Sequence, residues 1–228
     1  MLNFGVIWKN IDILFQSLLL TLKITTVAIV LSTLLGIIVG LIASKGSKEA
    51  KFVIKIYIEV MRNIPLLVIL YSIYFGLGEL SINFSSYSSI IIALLLSNGA
   101  YLGEIIRAGI ESINKSQTEA GLALGLHTYQ LYLRVILPQA LINVFPSIIN
   151  QYVIILLSSS FASLVALDEL TSTVSRLSSF SFRTFEFYVF GASIYLLISI
   201  AISYFSKKID KSLKGNNNQK KRIANGKA

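Results

Sequence analysis

The chain has 228 residues, 54% of them apolar and only 14% charged, which is too greasy and too poor in charge for an ordinary soluble domain. Its 20 Lys and Arg against 11 Asp and Glu give a formal charge of +9, but these cations sit beside apolar runs, so no nucleic-acid partner is expected. The lack of cysteine excludes disulfides, thiolate metal sites and thiol catalysis, and no His, Cys and Asp cluster has metal-ligand spacing.

Read in chain order, the apolar runs predict an all-α membrane protein with five transmembrane helices, each reaching the roughly 20 residues that cross the hydrocarbon core. The first span, 11–43, carries a single lysine, Lys23. Its apolar stretch is longer than a signal-peptide core and no basic segment directly precedes it, so it is expected to be retained as a span. Lys45, Lys48, Lys51 and Lys55 then mark a basic inner loop, 44–56. The second span covers 57–78 and the third 88–110, separated by a short segment, Glu79 to Tyr87, without Lys or Arg. Residues 111–137 form an inner loop, 139–157 the fourth span, 158–185 an outer segment rich in Ser and Thr, and 186–206 the fifth span.

Beyond the fifth span come Lys207, Lys208, Lys211, Lys214, Lys220, Lys221, Arg222 and Lys227, opposed only by Asp210. The excess of cations on one side places the N-terminus outside and the C-terminus in the cytoplasm. Residues 1–206 are read as the transmembrane domain. Residues 207–228, polar and low in apolar residues, are read as a disordered basic tail that sets topology and touches the lipid surface. No internal repeat is visible.

Two spans carry charges near their inner ends. Glu59 and Arg62 stand three apart on the second, and Glu104 and Arg107 three apart on the third, so each pair shares a helix face. They read as either a static clamp between helices or a charged inner gate. Pro65 breaks the second span, Pro138 opens the fourth and Pro146 kinks it. Polar side chains near mid-membrane, Asn63, Asn98, Tyr101, Ser158, Ser159 and Ser160, are the candidates for a substrate pathway, with helix-packing hydrogen bonds as the plainer alternative.

The inner loop has start and stop signals of its own. "SQTE" (116–119) fits a capping box, with Ser116 as cap, Glu119 reaching back and Thr118 as an alternative cap. The helical run ends at Gly125, a suitable left-handed terminator. Thr128 offers a second cap, and helix resumes up to Pro138. Ala120, Gly121 and Ala123 leave one side of the first helix small enough for another protein to approach closely. His127 reads as a surface contact. A loop capped twice holds a shape, and a shaped cytoplasmic loop suggests docking to a soluble partner.

The pattern Glu119-Ala120-Gly121, Gly125, then Val135, Leu137 and Pro138, about residues 111–138, resembles the EAA coupling loop of permease subunits of bacterial ABC importers. Gly121 stands where that family usually has alanine, and Val135 replaces an isoleucine. "TLKITTVAIVLSTLLGIIVGL", "YIEVMRNIPLLVIL" and "AYLGEIIRAGIESINKSQTEA" are similar to the polar amino acid branch, the glutamine and histidine type, and the resemblance extends to about residue 206. It implies a type I importer permease in the bacterial cytoplasmic (inner) membrane that moves polar amino acids by alternating access. Its implied partners are two ATP-binding subunits gripping the loop, a second permease subunit, identical or paralogous, an extracytoplasmic amino acid-binding protein and the lipid bilayer. The chain has no phosphate-binding loop of the GxxxxGK[ST] type, so ATP and magnesium belong to the partner ATPase; this subunit is expected to hold no cofactor and to catalyse no reaction.

Some positions depart from that branch. Asn63 and Ile64 replace Gly-Thr before Pro65, Ile69 replaces a glutamine, and Leu157-Ser158-Ser159-Ser160-Phe161 replaces Lys-Asp-Thr-Ser-Leu. Without that lysine and aspartate, either this subunit does not favour arginine or lysine by that route, or a paralogous partner keeps the charged residues. An ABC permease for another small polar solute is the alternative reading. A non-ABC channel or carrier stands further off, because it needs no docking loop and a carrier would more typically show inverted repeats or carboxylates buried in its spans.

Overall fold

A computed structural model describes residues 3–224, and every fold statement below concerns those residues. A short helix, α1 (Gly5–Trp8), precedes α2 (Ile11–Lys45), a 35-residue helix that carries the first apolar run. The buried face of α2 is a stripe of small residues at steps of three or four, Ser17, Thr21, Thr25, Ala28, Ser32, Gly36, Gly40 and Ser44. It packs along α5 (Ser86–Glu111), whose own stripe includes Ser89, Ala93, Ser97, Ala100 and Gly103. Helices in lipid gain little from the hydrophobic effect, so close backbone approach has to supply the attraction. A Cβ added at Gly36 would lie 2.6 Å from the Cβ of Leu102, and one at Gly40 would lie 2.9 Å from the Gly103 carbonyl oxygen. The hydroxyls of the α2 stripe find acceptors inside the protein: Thr25 donates to the Thr21 carbonyl at 2.8 Å, Ser44 to that of Gly40 at 2.9 Å, and Ser32 across to that of Leu94 at 3.3 Å.

The expected basic loop after α2 is not a loop. Only Gly46 and Ser47 separate α2 from α3 (Lys48–Asn63), because the Ser47 hydroxyl accepts the Ala50 N–H at 3.2 Å and starts a new helix at once. Lys48, Lys51 and Lys55 therefore lie on α3, on the stripe that continues to Glu59 and Arg62. Ile58 is buried, while Phe52, Val53, Ile56 and Val60 form an exposed apolar stripe on another side.

The break expected at Pro65 is present. Ile64 and Pro65 are extended, and the chain resumes as α4 (Leu66–Tyr71), a π turn (Ser72–Gly76) and a 3-10 turn (Leu77–Leu80). The second apolar run is thus two helical pieces meeting at a proline.

After α5 come α6 (Lys115–Ala123), α7 (Thr128–Leu131), a π turn (Tyr132–Ile136) and α8 (Leu137–Ser158). Helix does not stop at Pro138: the wide turn sits just before it and accommodates a residue with no N–H to donate, and α8 continues for 22 residues with Pro146 inside. A 3-10 stretch (Ser159–Val165) and α9 (Leu170–Ser181) occupy the segment before α10 (Thr184–Ala224). The α10 backbone stays helical past residue 206, into the segment expected to be a tail; residues 225–228 lie outside the described residues.

Four helical stretches are long and apolar enough to cross a membrane, Ile11–Lys45, Ser86–Glu111, Thr128–Val165 and Thr184–Ser212, with Leu66–Leu80 as a shorter apolar one. The protein is an all-α, multi-pass membrane protein. At one end, Ile7, Leu14, Leu170, Val174 and Phe187 tie α1, α2, α9 and α10 together. Glu169, fully buried there, caps α9 by accepting the N–H groups of Thr171 (3.0 Å) and Ser172 (2.8 Å) and takes the Tyr195 hydroxyl at 3.0 Å. At the other end, Ile106, Ile110, Leu131, Tyr132, Ile136 and Leu137 pack the loop helices against α5.

Candidate functional site

The break at Pro65 opens a cavity of about 450 Å³ between α3, α4, α5 and α8. The α3–α4 corner contributes Arg62, Asn63, Ile64, Pro65 and Leu66; α5 contributes Ser97, Asn98 and Tyr101; α8 contributes Gln151, Ile154 and Ser158. The loose end of α3 is capped locally: Asn63 Nδ2 donates to the Glu59 carbonyl at 2.7 Å, and the Tyr101 hydroxyl donates to that of Arg62 at 3.1 Å. On the cavity wall Gln151 Nε2 donates to Asn98 Oδ1 at 2.8 Å, and Asn98 Nδ2 donates to the Leu94 carbonyl at 2.9 Å. Two amides buried in an otherwise apolar bundle are held in one orientation by these bonds.

Of the six candidate pathway residues, Asn63, Asn98, Tyr101 and Ser158 line this cavity. Ser159 and Ser160 do not. Ser159 is fully buried and donates to the Leu156 carbonyl at 2.7 Å. Ser160 donates to the Leu157 carbonyl at 2.7 Å and lines a different, mostly apolar cavity with Thr171, Tyr188 and Tyr195. The 3-10 turn after Ser158 swings both away, which spacing alone does not reveal. Gln151 and Ser97 were missed, since each is a lone polar residue in an apolar run with no motif to mark it.

A second cavity, about 360 Å³, lies toward the loop end, lined by Ala43 of α2, by Lys51, Lys55, Ile58, Glu59 and Arg62 of α3, and by Glu104 and Arg107 of α5. Both expected charge pairs come to this one place, but not as a clamp between helices. Arg107 is held within α5, with Nε to Glu104 Oε2 at 3.0 Å, Nη2 to Glu104 Oε1 at 2.6 Å and Nη1 to Glu111 Oε1 at 2.7 Å. Glu59 pairs with Lys55, at 3.8 Å, rather than with Arg62. Between α3 and α5 the Arg62 guanidinium lies 5.2 Å over the Tyr101 ring, and the Tyr57 hydroxyl donates to the Leu96 carbonyl at 2.7 Å.

The loop beneath is shaped as expected, with different caps. Asn114, not Ser116, begins α6: its Oδ1 accepts the Ser116 N–H at 3.0 Å and the Ser116 hydroxyl at 3.0 Å. Gly125 adopts φ +76°, and two bonds close the helix end, Leu126 N to the Gly121 carbonyl at 3.1 Å and Gly125 N to that of Leu122 at 2.9 Å. His127, not Thr128, caps α7, with its N–H donating to Gln130 Oε1 at 3.3 Å. Gly121 does not serve an outside surface: it is buried, and a Cβ there would meet Leu131 Cδ1 at 2.5 Å. Glu119, Ala120, Gly125 and Pro138 are exposed and Leu137 is buried. Leu122, Leu124, Tyr129 and Leu133 are also exposed, and Leu124 at 82% is the most so of these four.

The arrangement offers a polar chamber at a helix break, a charged chamber toward the loop end and a capped loop with exposed apolar side chains. It contains no group of three or more His, Cys, Asp or Glu residues placed to hold a metal among the described residues.

Comparison with known proteins agrees over most of the chain. The family described as "Binding-protein-dependent transport system inner membrane component" matches residues 32–215. A probable glutamine ABC transporter permease protein, GlnM, of Bacillus subtilis (strain 168) is 32% identical, over 92% of this chain and 100% of that protein. The arginine transport system permease protein ArtQ of the same organism is 28% identical over 94% and 99%. The glutamine transport system permease protein GlnP of Escherichia coli (strain K12) is 29% identical over 93% and 98%. A crystal structure of an amino acid ABC transporter with histidines superposes with a TM-score of 0.85 at 32% identity, covering 93% of this chain and 99% of that one. An inward-facing MetNI methionine ABC transporter shares the fold, at a TM-score of 0.77 and 15% identity.

Proposed function

This chain belongs to the family of binding-protein-dependent transport system inner membrane components, and we propose that it carries polar amino acids across the bacterial cytoplasmic membrane as the permease subunit of an ATP-driven importer. The observation that carries this reading is the open cavity at Pro65, which a broken helix, the Asn98–Gln151 amide pair and the Tyr101 ring line together. Discontinuous helices at membrane depth are tolerated where they line such a space, and they supply polar groups to a solute there.

Five spans complete the proposal, with α3 and the α4 segment together forming the second, the N-terminus outside and the C-terminus in the cytoplasm. Residues 1–206 then constitute the transmembrane domain, and 207–228 a basic cytoplasmic extension. Asn63, Asn98, Tyr101 and Ser158, joined by Gln151, form the pathway, and Glu59, Arg62, Glu104 and Arg107 form the inner gate beneath it. Coupling runs through the loop, 111–138: the exposed Glu119, Ala120, Gly125 and Pro138 meet an ATP-binding subunit, Gly121 packs on Leu131 to shape the loop, and Leu137 fastens it to α5. Two ATPase subunits, which bind ATP and magnesium, a second permease and an extracytoplasmic binding protein complete the machine. Two arrangements of the packed bundle, biased from opposite sides by nucleotide and loaded binding protein, give alternating access.

Co-purification tests this. The full chain, extracted in mild detergent, brings down an ATP-binding subunit in stoichiometric amount; a chain that purifies alone and carries solute without ATP contradicts the proposal. Orientation has its own test, since a cysteine placed at Ser212 is labelled from the cytoplasmic side only, and labelling from outside overturns the topology.

A further inference from the structure

We propose that the start of α3 binds an anionic phospholipid of the cytoplasmic leaflet, its lysines holding the headgroup phosphate and an apolar stripe beside them taking the acyl chains. The leaflet rests on the topology proposed above, which sets the turn between α2 and α3 at the inner face. Helical spacing divides α3 into three faces. One turns to the bundle: Ile58 is buried, Met61 packs on the core around Ile69 and Leu70, and the Tyr57 hydroxyl donates to the Leu96 carbonyl at 2.7 Å. A second face carries Lys48, Lys51 and Lys55 at steps of three and four, all exposed. The third, bordering the lysines, is an exposed apolar stripe that runs from Phe52, 66% exposed, through Val53 and Ile56 to Val60, 42% exposed.

The lysines have charge to give. Among the described residues no ion pair engages Lys48 or Lys51, and Lys55 approaches Glu59 only at 3.8 Å, with both side chains exposed. Lys45 is occupied elsewhere, over the Tyr132 ring at 5.1 Å. Of the nearby acids, Glu49 shares the side of Phe52 and Val53 rather than that of the lysines, and Glu104 is held by Arg107 at 2.6 Å. Lys51 and Lys55 also line the cavity of about 360 Å³ between α2, α3 and α5, so the lysine face opens onto a recess. A soluble phosphate needs the lysines alone. The apolar stripe that begins beside Lys51 and runs on to Val60 matches a lipid, with its phosphate at the inner face and its chains extending toward the bilayer centre. A phosphate drawn to Lys55 competes with Glu59, which places the lipid beside a residue of the proposed inner gate.

The test uses the full chain, extracted in mild detergent with the subunits that accompany it and equilibrated with phosphatidylglycerol and phosphatidylcholine of identical chains. Native mass spectrometry reads the lipid retained. Phosphatidylglycerol is expected to be held over phosphatidylcholine, K51Q with K55Q to weaken it about tenfold or more, and K51R with K55R to keep it. Glycerol phosphate, the headgroup without chains, is expected not to displace it at equal concentration. Equal retention of the two lipids by wild type, or unchanged phosphatidylglycerol binding by K51Q with K55Q, overturns the proposal. Displacement by glycerol phosphate also overturns it, by showing a site for soluble phosphate. A benzophenone side chain in place of Phe52, activated in native membranes, is expected to crosslink to lipid, and a crosslink to another protein subunit refutes the lipid site. Should K51Q with K55Q fail to assemble, the wild-type preference and the Phe52 crosslink decide. Lipid retention is read without transport, so absence of ATP-dependent uptake removes the importer reading alone, and outside labelling at Ser212 removes the assigned leaflet alone.

Discussion

Gln151 on α8 donates its amide hydrogen to Asn98 on α5 across 2.8 Å, with both side chains buried. Removing one partner leaves the other without this bond. Asn98→Leu is expected to cost about 1–3 kcal/mol, whereas Asn98→Leu with Gln151→Leu loses less than the two single changes summed. Thermal unfolding of the purified complex in one detergent checks this, and additive losses would separate the two residues.

The approach of α2 to α5 is set by glycine. Gly36→Leu places a side chain where even a Cβ would lie 2.6 Å from Leu102, and the expected loss is about 1–3 kcal/mol or more. Gly76→Ala, with nothing within 4 Å of the added Cβ, leaves the melting temperature nearly unchanged. The contrast separates packing from a general intolerance of glycine substitution.

Gly125 acts through backbone conformation alone. Its φ is +76° and no atom lies within 4 Å of an added Cβ, so Gly125→Val costs about 1–2 kcal/mol or more in the loop purely through the left-handed geometry. The reshaped loop weakens ATPase docking, read as ATP hydrolysis less stimulated by substrate. Gly125→Asn, which tolerates that conformation, retains most of the coupling.

Burial holds the Glu169 carboxyl above its ordinary value of 4.5, although the N–H groups of Thr171 and Ser172 and the hydroxyls of Tyr195 and Thr21 pull the other way. A raised folded-state value means the native state favours the neutral acid. Its contribution is full below 4.5 and is lost as pH rises through the raised value. Glu169→Gln cannot titrate, so wild type loses stability relative to it on going from pH 4 to pH 7. Parallel melting curves at a series of pH values read the trend, and a flat or opposite difference contradicts it.

Hydropathy placed the apolar runs well because lipid demands long uninterrupted helices, and Pro65 marked the break because its ring forbids the helical bond. Caps were legible only in kind. Asn114 and Ser116 are both good caps two residues apart, and the Ser-x-x-Glu pattern favoured the wrong one. The basic residues after α2 read as loop because positive charge marks a side of the membrane and says nothing of local geometry; Ser47 alone signalled the helix. Charge spacing found Glu104 with Arg107 but mispaired Arg62, since its partner is an aromatic ring from another helix. Ser159 and Ser160 look like pathway residues beside Ser158, yet one 3-10 turn sends them elsewhere.

On the importer reading, this chain moves an amino acid only when an ATPase grips its loop. ATP-dependent uptake by the reconstituted complex, compared with and without ATP inside the liposomes, tests it most directly. Uptake is expected with ATP, none without it, and a sharp fall with Gly125→Val. Equal uptake in the absence of ATP, or by this chain without its ATPase, would contradict it.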